Sequence, residues 1–462
     1  MRNKMDVERK RKSNQMDMLN GSLAKNILFF ALPLAASSIL QQLFNSVDVA
    51  VVGRFAGDDA LAAVSANSSV TALFINIFVG LTVGANVVIA KYIGQGKKKE
   101  IQDVLHTVIA FAIISGICML LLGQVIARPL LELISTPEGV LDLAVCYLRI
   151  YFMGIPFVIV YNFGAAILRS MGDTRRPMYC LIISGVTNGV LNIILVVGFH
   201  LDVAGVAIAT AVADAISAII VLSILCREEE FIRLHPRKLK IHGKHLIHVL
   251  KVGMPAAIQS GVFSISNVCI QTGINSFGDK AVSGSSVGLN FEYFCYYIIN
   301  AFAQAAVTFT SQNFGARKID RCKKLFRISM IEGMLLTAIL SAVFTIWGRF
   351  FTGLYTVNTV VMSFALIRMH HVMMLEFLTG TYEISGGVLR GLGHSMAPAS
   401  LTVLGSVCFR IFWLYTVFRW QHSFSMLMSV YPVSWVLTGT MVLTAYFIIC
   451  LLYTSDAADD LT

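Results

Sequence analysis

Asp48 is the only acid in the apolar run from 26 to 53, within LFNSVDVAVVGRF (43–55). A carboxylate at the centre of a bilayer costs roughly 2.5–3.5 kcal/mol even on insertion scales, so such a group usually faces a polar interior and carries function. Ser37, Gln41, Asn45 and Asp48 recur at spacings of four, four and three, which stacks them on one helical face. Asn188 and Asn192 are four residues apart, as are Thr210 and Asp214. If the three segments converge, carboxylate, amide and hydroxyl oxygens surround one point. That is the ligand set of a hard cation such as Na+, and equally a setting in which a buried acid holds a proton near neutral pH. No other metal is implied.

The second half carries a polar stripe without the acid: Ser260, Ser264, Asn267, Gln271 and Asn275. Helix–helix hydrogen bonding accounts for such Ser and Asn residues as readily as a substrate path does. Glu292, Glu376 and Glu383 also lie within apolar runs there, as do Arg368 and Arg410. Glu383 follows Tyr382 and is the second candidate for contact with a cationic substrate; Glu292 is a candidate ion-pair partner of an arginine.

These residues need helices to position them, and the composition supplies them. The chain has 462 residues, 56% hydrophobic and 13% charged, with a mean hydropathy of +0.74; an average soluble domain is about 25% charged. Apolar runs near 26–53, 60–92, 104–126, 139–168, 178–199, 203–226, 246–276, 281–313, 327–349, 358–389, 397–418 and 424–452 predict twelve transmembrane helices, an all-α polytopic membrane protein. The net charge of +10 does not point to nucleic acid, because 28 of the 36 Lys and Arg fall in the N-terminal tail and alternate connecting segments. That asymmetry predicts a multi-pass protein with both termini cytoplasmic, and basic faces turned to anionic lipid. The nine cysteines form no C-x-x-C pair and read as small buried hydrophobes.

The sequence is written twice. AAILRSMGDTRRP (165–177) aligns with GGVLRGLGHSMAP (386–398) at an offset of 221, pairing Arg169 with Arg390, Gly172 with Gly393 and Pro177 with Pro398. The same offset pairs Gly94 with Gly315, Gly57-Asp58 with Gly278-Asp279, Tyr161 with Tyr382 and Asn162 with Glu383, while Pro33 and Pro255 match at 222. Each copy holds six spans, so the copies share one orientation and relate about an axis along the membrane normal. The predicted organisation is a cytoplasmic tail (1–25), an N-lobe (26–226), a charged linker (227–245), a C-lobe (246–452) and an atypical acidic end (453–462). Two matched halves around a central cavity suit alternating access, with Gln41, Asn45, Tyr161, Asn162, Asn267, Gln271, Tyr382 and Glu383 as cavity candidates.

The LP…Q…D…GR pattern of the first span (Leu32-Pro33 through Asp48 and Arg54), LRSMGDTRRP with its copy LRGLGHSMAP, SQNFGA (311–316) and GVAIAT (205–210) resemble the multidrug and toxic compound extrusion (MATE) family of secondary transporters, over residues 20 to 450. The resemblance implies paired six-helix lobes, export of small organic cations or amphipaths, and coupling to inward flow of H+ or Na+. It implies a monomer in a bacterial-type cytoplasmic (inner) membrane with no cofactor. Asp48 matches the acid that family members use as the N-lobe cation site, Asn188 and Thr210 match polar residues around it, and Asn192 stands where many relatives have Asp. A lipid or oligosaccharide-lipid flippase is the alternative within this architecture; one handling an anionic pyrophosphate needs several cavity Arg or Lys, and Arg149, Arg368 and Arg410 are those within spans.

Other classes find less support. No phosphate loop, nucleophile elbow or H-E-x-x-H is present, so the chain does not read as an enzyme. HGKHLIH (242–248) reads as a solvated basic surface rather than a metal site, and the adjacent His370 and His371 point in different directions on a helix.

Overall fold

The computed structural model describes residues 16–134 and 136–459, without the side chains of residues 58, 69 and 451–459. The predicted cytoplasmic tail, up to residue 15, and the last three residues of the predicted acidic end lie outside the described residues; the backbone of 453–459 continues the final helix. The described chain is helical without strands. In order come α1 (Leu23–Phe55), α2 (Asp58–Gln95), α3 (Lys98–Leu133), α4 (Glu138–Ser170), α5 (Arg175–Gly198), α6 (Asp202–Cys226), α7 (Gly243–Asn275), α8 (Asp279–Gly315), α9 (Ile319–Ile346), α10 (Thr359–Leu392), α11 (Met396–Trp420) and α12 (Phe424–Asp459). Eleven are long and apolar enough to cross a membrane. The twelfth predicted span, 281–313, is the 37-residue α8, whose Ser, Asn, Gln and Thr content leaves it outside that group.

The duplication is visible in the packing of each half. In the first, α4 packs against α2, α3 and α6; in the second, its counterpart α10 packs against α8, α9 and α12. It is visible in the backbone too. Left-handed residues pair at an offset of 221: Gly57 (φ 88°) with Gly278 (81°), Gly96 (69°) with Arg317 (58°), and Gly172 (91°) with Gly393 (98°). Gly172 and Gly393 follow the two Leu-Arg motifs, and Gly393 caps α10 in the left-handed conformation that glycine adopts without Cβ strain. The copies diverge at mid-helix. α4 runs through Pro156 as α-helix, whereas α10 tightens into a 3₁₀ turn over Met373–Thr379.

The compact units do not end at helix ends. One comprises Ala36–Gly253, and the other comprises Asp17–Ala35 and the chain from Met254 onward. The breaks fall inside α1 and α7, two residues from Pro33 and from Pro255, rather than at the predicted linker boundaries. Proline removes a backbone donor and crowds the preceding turn, so each of these helices has a natural division there. In the second unit Phe30 meets Phe309 edge-on at 5.4 Å, and Asn313 Nδ2 donates to Met18 O at 3.2 Å. In the first unit the start of α7 lies directly on α2: a Cβ added to Gly84 would sit 2.1 Å from Val249 O, and one on Gly253 would sit 2.6 Å from Leu81 O. Gly84→Val should therefore destabilise the purified protein by about 1–3 kcal/mol. Gly139→Ala, which meets nothing within 4 Å, should leave the melting temperature unchanged; equal shifts in a thermal-unfolding assay would refute the close-crossing account.

Candidate cation site

Four helices of the first unit bring the site together. α1 can lie close to α5 because Gly185 has no side chain; a Cβ there would fall 1.9 Å from the ring of Phe44, one turn before Asp48. α5 is tied to α6 by Ser184 Oγ, which donates to Ala213 O at 2.8 Å. α4 approaches α6 at Gly154, where a Cβ would lie 3.1 Å from Ala211 and 3.8 Å from Asp214 Oδ2.

The polar side chains that these contacts align form a chain of hydrogen bonds. Asn192 Nδ2 donates to Asp48 Oδ1 at 2.5 Å and to Asn188 Oδ1 at 3.2 Å. Asn188 Nδ2 donates to Thr210 Oγ1 at 3.2 Å, and that hydroxyl donates to Val206 O at 3.0 Å. The carboxylate fixes which way the Asn192 amide faces, because an ionised carboxylate only accepts. Asn192 is fully buried, and its Oδ1 has no hydrogen-bond partner among the described residues. Leaving a buried acceptor unsatisfied costs about 1–3 kcal/mol, so this oxygen suits a bound cation or a protonated donor. Asp214 lies near enough for its charge to interact with that of Asp48.

Asp48, Asn188, Asn192 and Thr210 thus lie in one hydrogen-bonded chain, with Asp214 beside them. Sequence reasoning missed Tyr147 and Tyr151. These α4 residues are buried, stack with ring centroids 6.1 Å apart, and lie within electrostatic reach of Asp48 and Asp214. Their signal was the four-residue spacing in YLRIY, two phenols on one face of an apolar helix.

The cavity candidates are more dispersed. Gln41, Asn45, Asn267 and Gln271 have exposed side chains; Gln271 Nε2 donates to Asn275 Oδ1 at 2.9 Å. Tyr161 is buried, its hydroxyl donating to Pro177 O at 3.0 Å, so it holds the α4–α5 turn. Asn162 Nδ2 donates back to Val158 O. Tyr382 is buried, and the half-buried Glu383 lies near Arg390 and Tyr296. Arg390 in turn donates to Gln259 Oε1 at 2.8 Å.

The second unit also buries an ionic cluster. Arg368 Nε donates to Glu292 Oε2 at 2.9 Å and Nη1 donates to Ser285 Oγ at 2.9 Å, which is the expected pairing for Glu292. Arg368 and Arg410 both lie over the ring of Tyr431, at 5.4 and 4.6 Å from its centroid. Glu376 is buried among Glu292, Arg368 and Arg410. Among the described residues no group of three or more His, Cys, Asp and Glu is placed to hold a metal ion.

Comparison with known proteins bears on this arrangement. The family profile MatE matches twice, at residues 33–194 and 255–416, two windows 222 residues apart at both ends. The probable multidrug resistance protein YoeA of Bacillus subtilis is 26% identical over 394 residues, covering 83% of this chain and 84% of that protein. The multidrug export protein MepA of Staphylococcus aureus is 23% identical over 385 residues, covering 82% and 84%. Among solved structures, a MATE transporter in complex with MaD3S superposes with a TM-score of 0.88 at 18% identity, covering 95% of this chain and 98% of that one. The outward-facing conformation of a multidrug resistance MATE transporter gives 0.87 at 19% identity, with the same coverage. The likeness to these structures establishes the fold, and the doubled profile match assigns the sequence: the chain belongs to the MatE family of multidrug and toxic compound extrusion transporters.

Proposed function

We propose that the chain is a cation-coupled antiporter that exports small organic cations or amphipathic compounds across a bacterial cytoplasmic membrane by alternating access, as a monomer with both termini in the cytoplasm. The observation that carries this reading is the hydrogen-bonded chain Asp48–Asn192–Asn188–Thr210. It gives the first lobe a carboxylate whose charge is matched by no basic side chain among the contacts described. A coupling cation and a cationic substrate then compete for one negative charge. Binding of either lowers the affinity for the other, which is the linkage that antiport requires. YoeA and MepA, named as multidrug proteins, support the substrate class.

The buried arginines favour export of cations over a flippase handling anionic headgroups. Arg368 is paired with Glu292 and Ser285, and Arg410, which stacks on Tyr431 and donates to Ser434, lies beside Glu376, so each positive charge already has a carboxylate near it. The proton is the favoured coupling ion. It needs only one oxygen of Asp48, whereas sodium needs several oxygens held at fixed distances, and two of the amide and hydroxyl oxygens here already accept hydrogen bonds.

Asp48→Asn keeps the shape of the side chain and removes its charge. Efflux of a cationic dye by cells expressing it should fall to background at unchanged membrane abundance, while Asn188→Ala and Thr210→Ala should each retain part of the activity; wild-type efflux by Asp48→Asn would overturn the assignment. In proteoliposomes a protonophore at constant sodium should stop export, and replacing sodium with choline at constant pH should not. Export that survives the protonophore and stops without sodium would make the cluster a sodium site. Glu383→Gln should raise the apparent KM for a cation by roughly fivefold, an electrostatic effect of about 1 kcal/mol, and leave that for a neutral amphipath unchanged; equal changes would make Glu383 structural.

A further inference from the structure

The linker between the lobes is not a free surface loop. Residues 227–242 fold back onto the first turns of α3, within the first unit. Ile232 and Leu234 are buried, Leu234 N donates to Leu225 O at 3.0 Å, and Gln102 Nε2 donates to Glu230 O. Further along, His242 N donates to Thr107 Oγ1 at 3.1 Å, and its imidazole lies 3.9 Å from Asp103. The histidines that read as solvated in the sequence are therefore engaged: His242 meets His245 edge-on at 6.1 Å, and His245 and His248 flank Tyr92.

At the centre of this contact is His106, which is only 4% exposed. Its Nδ1 lies 2.7 Å from Gln102 O, and its Nε2 lies 3.1 Å from the backbone N of His235. A carbonyl oxygen only accepts and a backbone N–H only donates, so Nδ1 carries the hydrogen and Nε2 must be bare. The docked linker therefore specifies the neutral imidazole. Adding a proton at Nε2 breaks the bond from His235 and places a cation in a buried site, face to face with the His235 ring 6.1 Å away and 4° from parallel.

We propose that the linker is a proton-sensitive strap, docked on α3 while His106 is neutral and released when the compartment it faces acidifies. The other titratable and charged groups around it are Asp103 on the same helix; Glu230, Arg233, His235 and His242 on the linker; His245 on α7; and, anchoring the start of the linker, Arg176 paired with both Asp173 and Glu228. Glu230, 3.4 Å from His235 Nε2, can hold a proton on His235 without loss of the strap. That makes His106, and not His235, the group whose protonation undocks it. The strap leads directly into α7, whose first turns pack on α2, so its release frees the segment that connects the two lobes. This goes beyond the transport reading and draws on it only for the identity of the compartment, the cytoplasm.

The test is hydrogen–deuterium exchange of the full-length protein in nanodiscs, corrected for intrinsic pH dependence, between about pH 7.5 and about pH 5.5, the interval in which histidine titrates. Amides of 230–242 should exchange roughly tenfold faster at the lower pH, a change of about 1.4 kcal/mol in opening free energy, with the cores of α4 and α6 unaffected. His106→Gln, which keeps an acceptor toward His235 without a titrating group, should flatten the profile, and His235→Gln should not. No rise in the wild type, or a rise that His106→Gln leaves intact, overturns the proposal. If His106→Gln undocks the linker at every pH, histidine 15N spectra of the wild type decide: His106 should gain its second proton over the interval in which exchange rises, and a His106 that stays neutral through release overturns the proposal.

Discussion

A carboxylate withdrawn from water has to find a donor, and the donor that Asp48 finds is the side-chain amide of Asn192. That single contact sets much of the first lobe. It requires α1 and α5 to lie within reach of each other, which the missing side chain at Gly185 permits. It fixes the orientation of the Asn192 amide, which fixes that of Asn188, which in turn engages the Thr210 hydroxyl on α6. The hydrogen bonds of such a chain polarise one another, so Asp48 is linked through two amides to the Thr210 hydroxyl.

The duplicated halves show which parts of an architecture resist divergence. The left-handed turns at Gly57 and Gly278, Gly96 and Arg317, and Gly172 and Gly393 have kept their backbone conformation, and α4 and α10 have kept their three packing partners. The chemistry has separated. Where the first half places Asp48 in a polar chain, the second buries Glu292 against Arg368 and crowds two guanidinium groups around Tyr431. Backbone geometry is shared by many residues and changes only at the cost of all of them, whereas a buried side chain can be exchanged if its partner is exchanged too.

That distinction explains what was legible in the sequence. The repeat, the spans and the shared helix faces of Asn188 with Asn192 and of Thr210 with Asp214 were readable because each rests on periodicity: a constant offset, a twenty-residue apolar run, a four-residue spacing. That α1, α5 and α6 meet rests on contacts such as Phe44 against Gly185, which carry no period. The unit boundaries were not, because Pro33 and Pro255 reveal where a helix divides without revealing which body claims each piece. Tyr147 and Tyr151 were passed over because tyrosine is at home in any apolar helix, and only the approach of α4 to α6 at Gly154 turns their face toward the acids. Tyr161, read as facing a cavity because its repeat partner precedes a glutamate, spends its hydroxyl on Pro177 O. His106 carried no signal, since a lone histidine in an apolar run acquires meaning only when the linker, some 130 residues later, donates a backbone N–H to it.

Charge balance finally separates the roles of the lobes. Within the second unit the buried acids and arginines match: Glu292 with Arg368 by direct contact, Glu383 with Arg390 and Glu376 with Arg410 by proximity. Such a cluster is close to neutral and projects little field. The first unit gathers Asp48 and Asp214, while Arg149, the arginine within its spans by sequence, has an exposed side chain. An acid pair without a counter-ion is neutral only when cations or protons supply the missing charge, and that requirement does not depend on which substrate is carried. Among the described contacts the first unit therefore holds buried acids that no basic side chain balances, whereas each buried acid of the second has an arginine beside it.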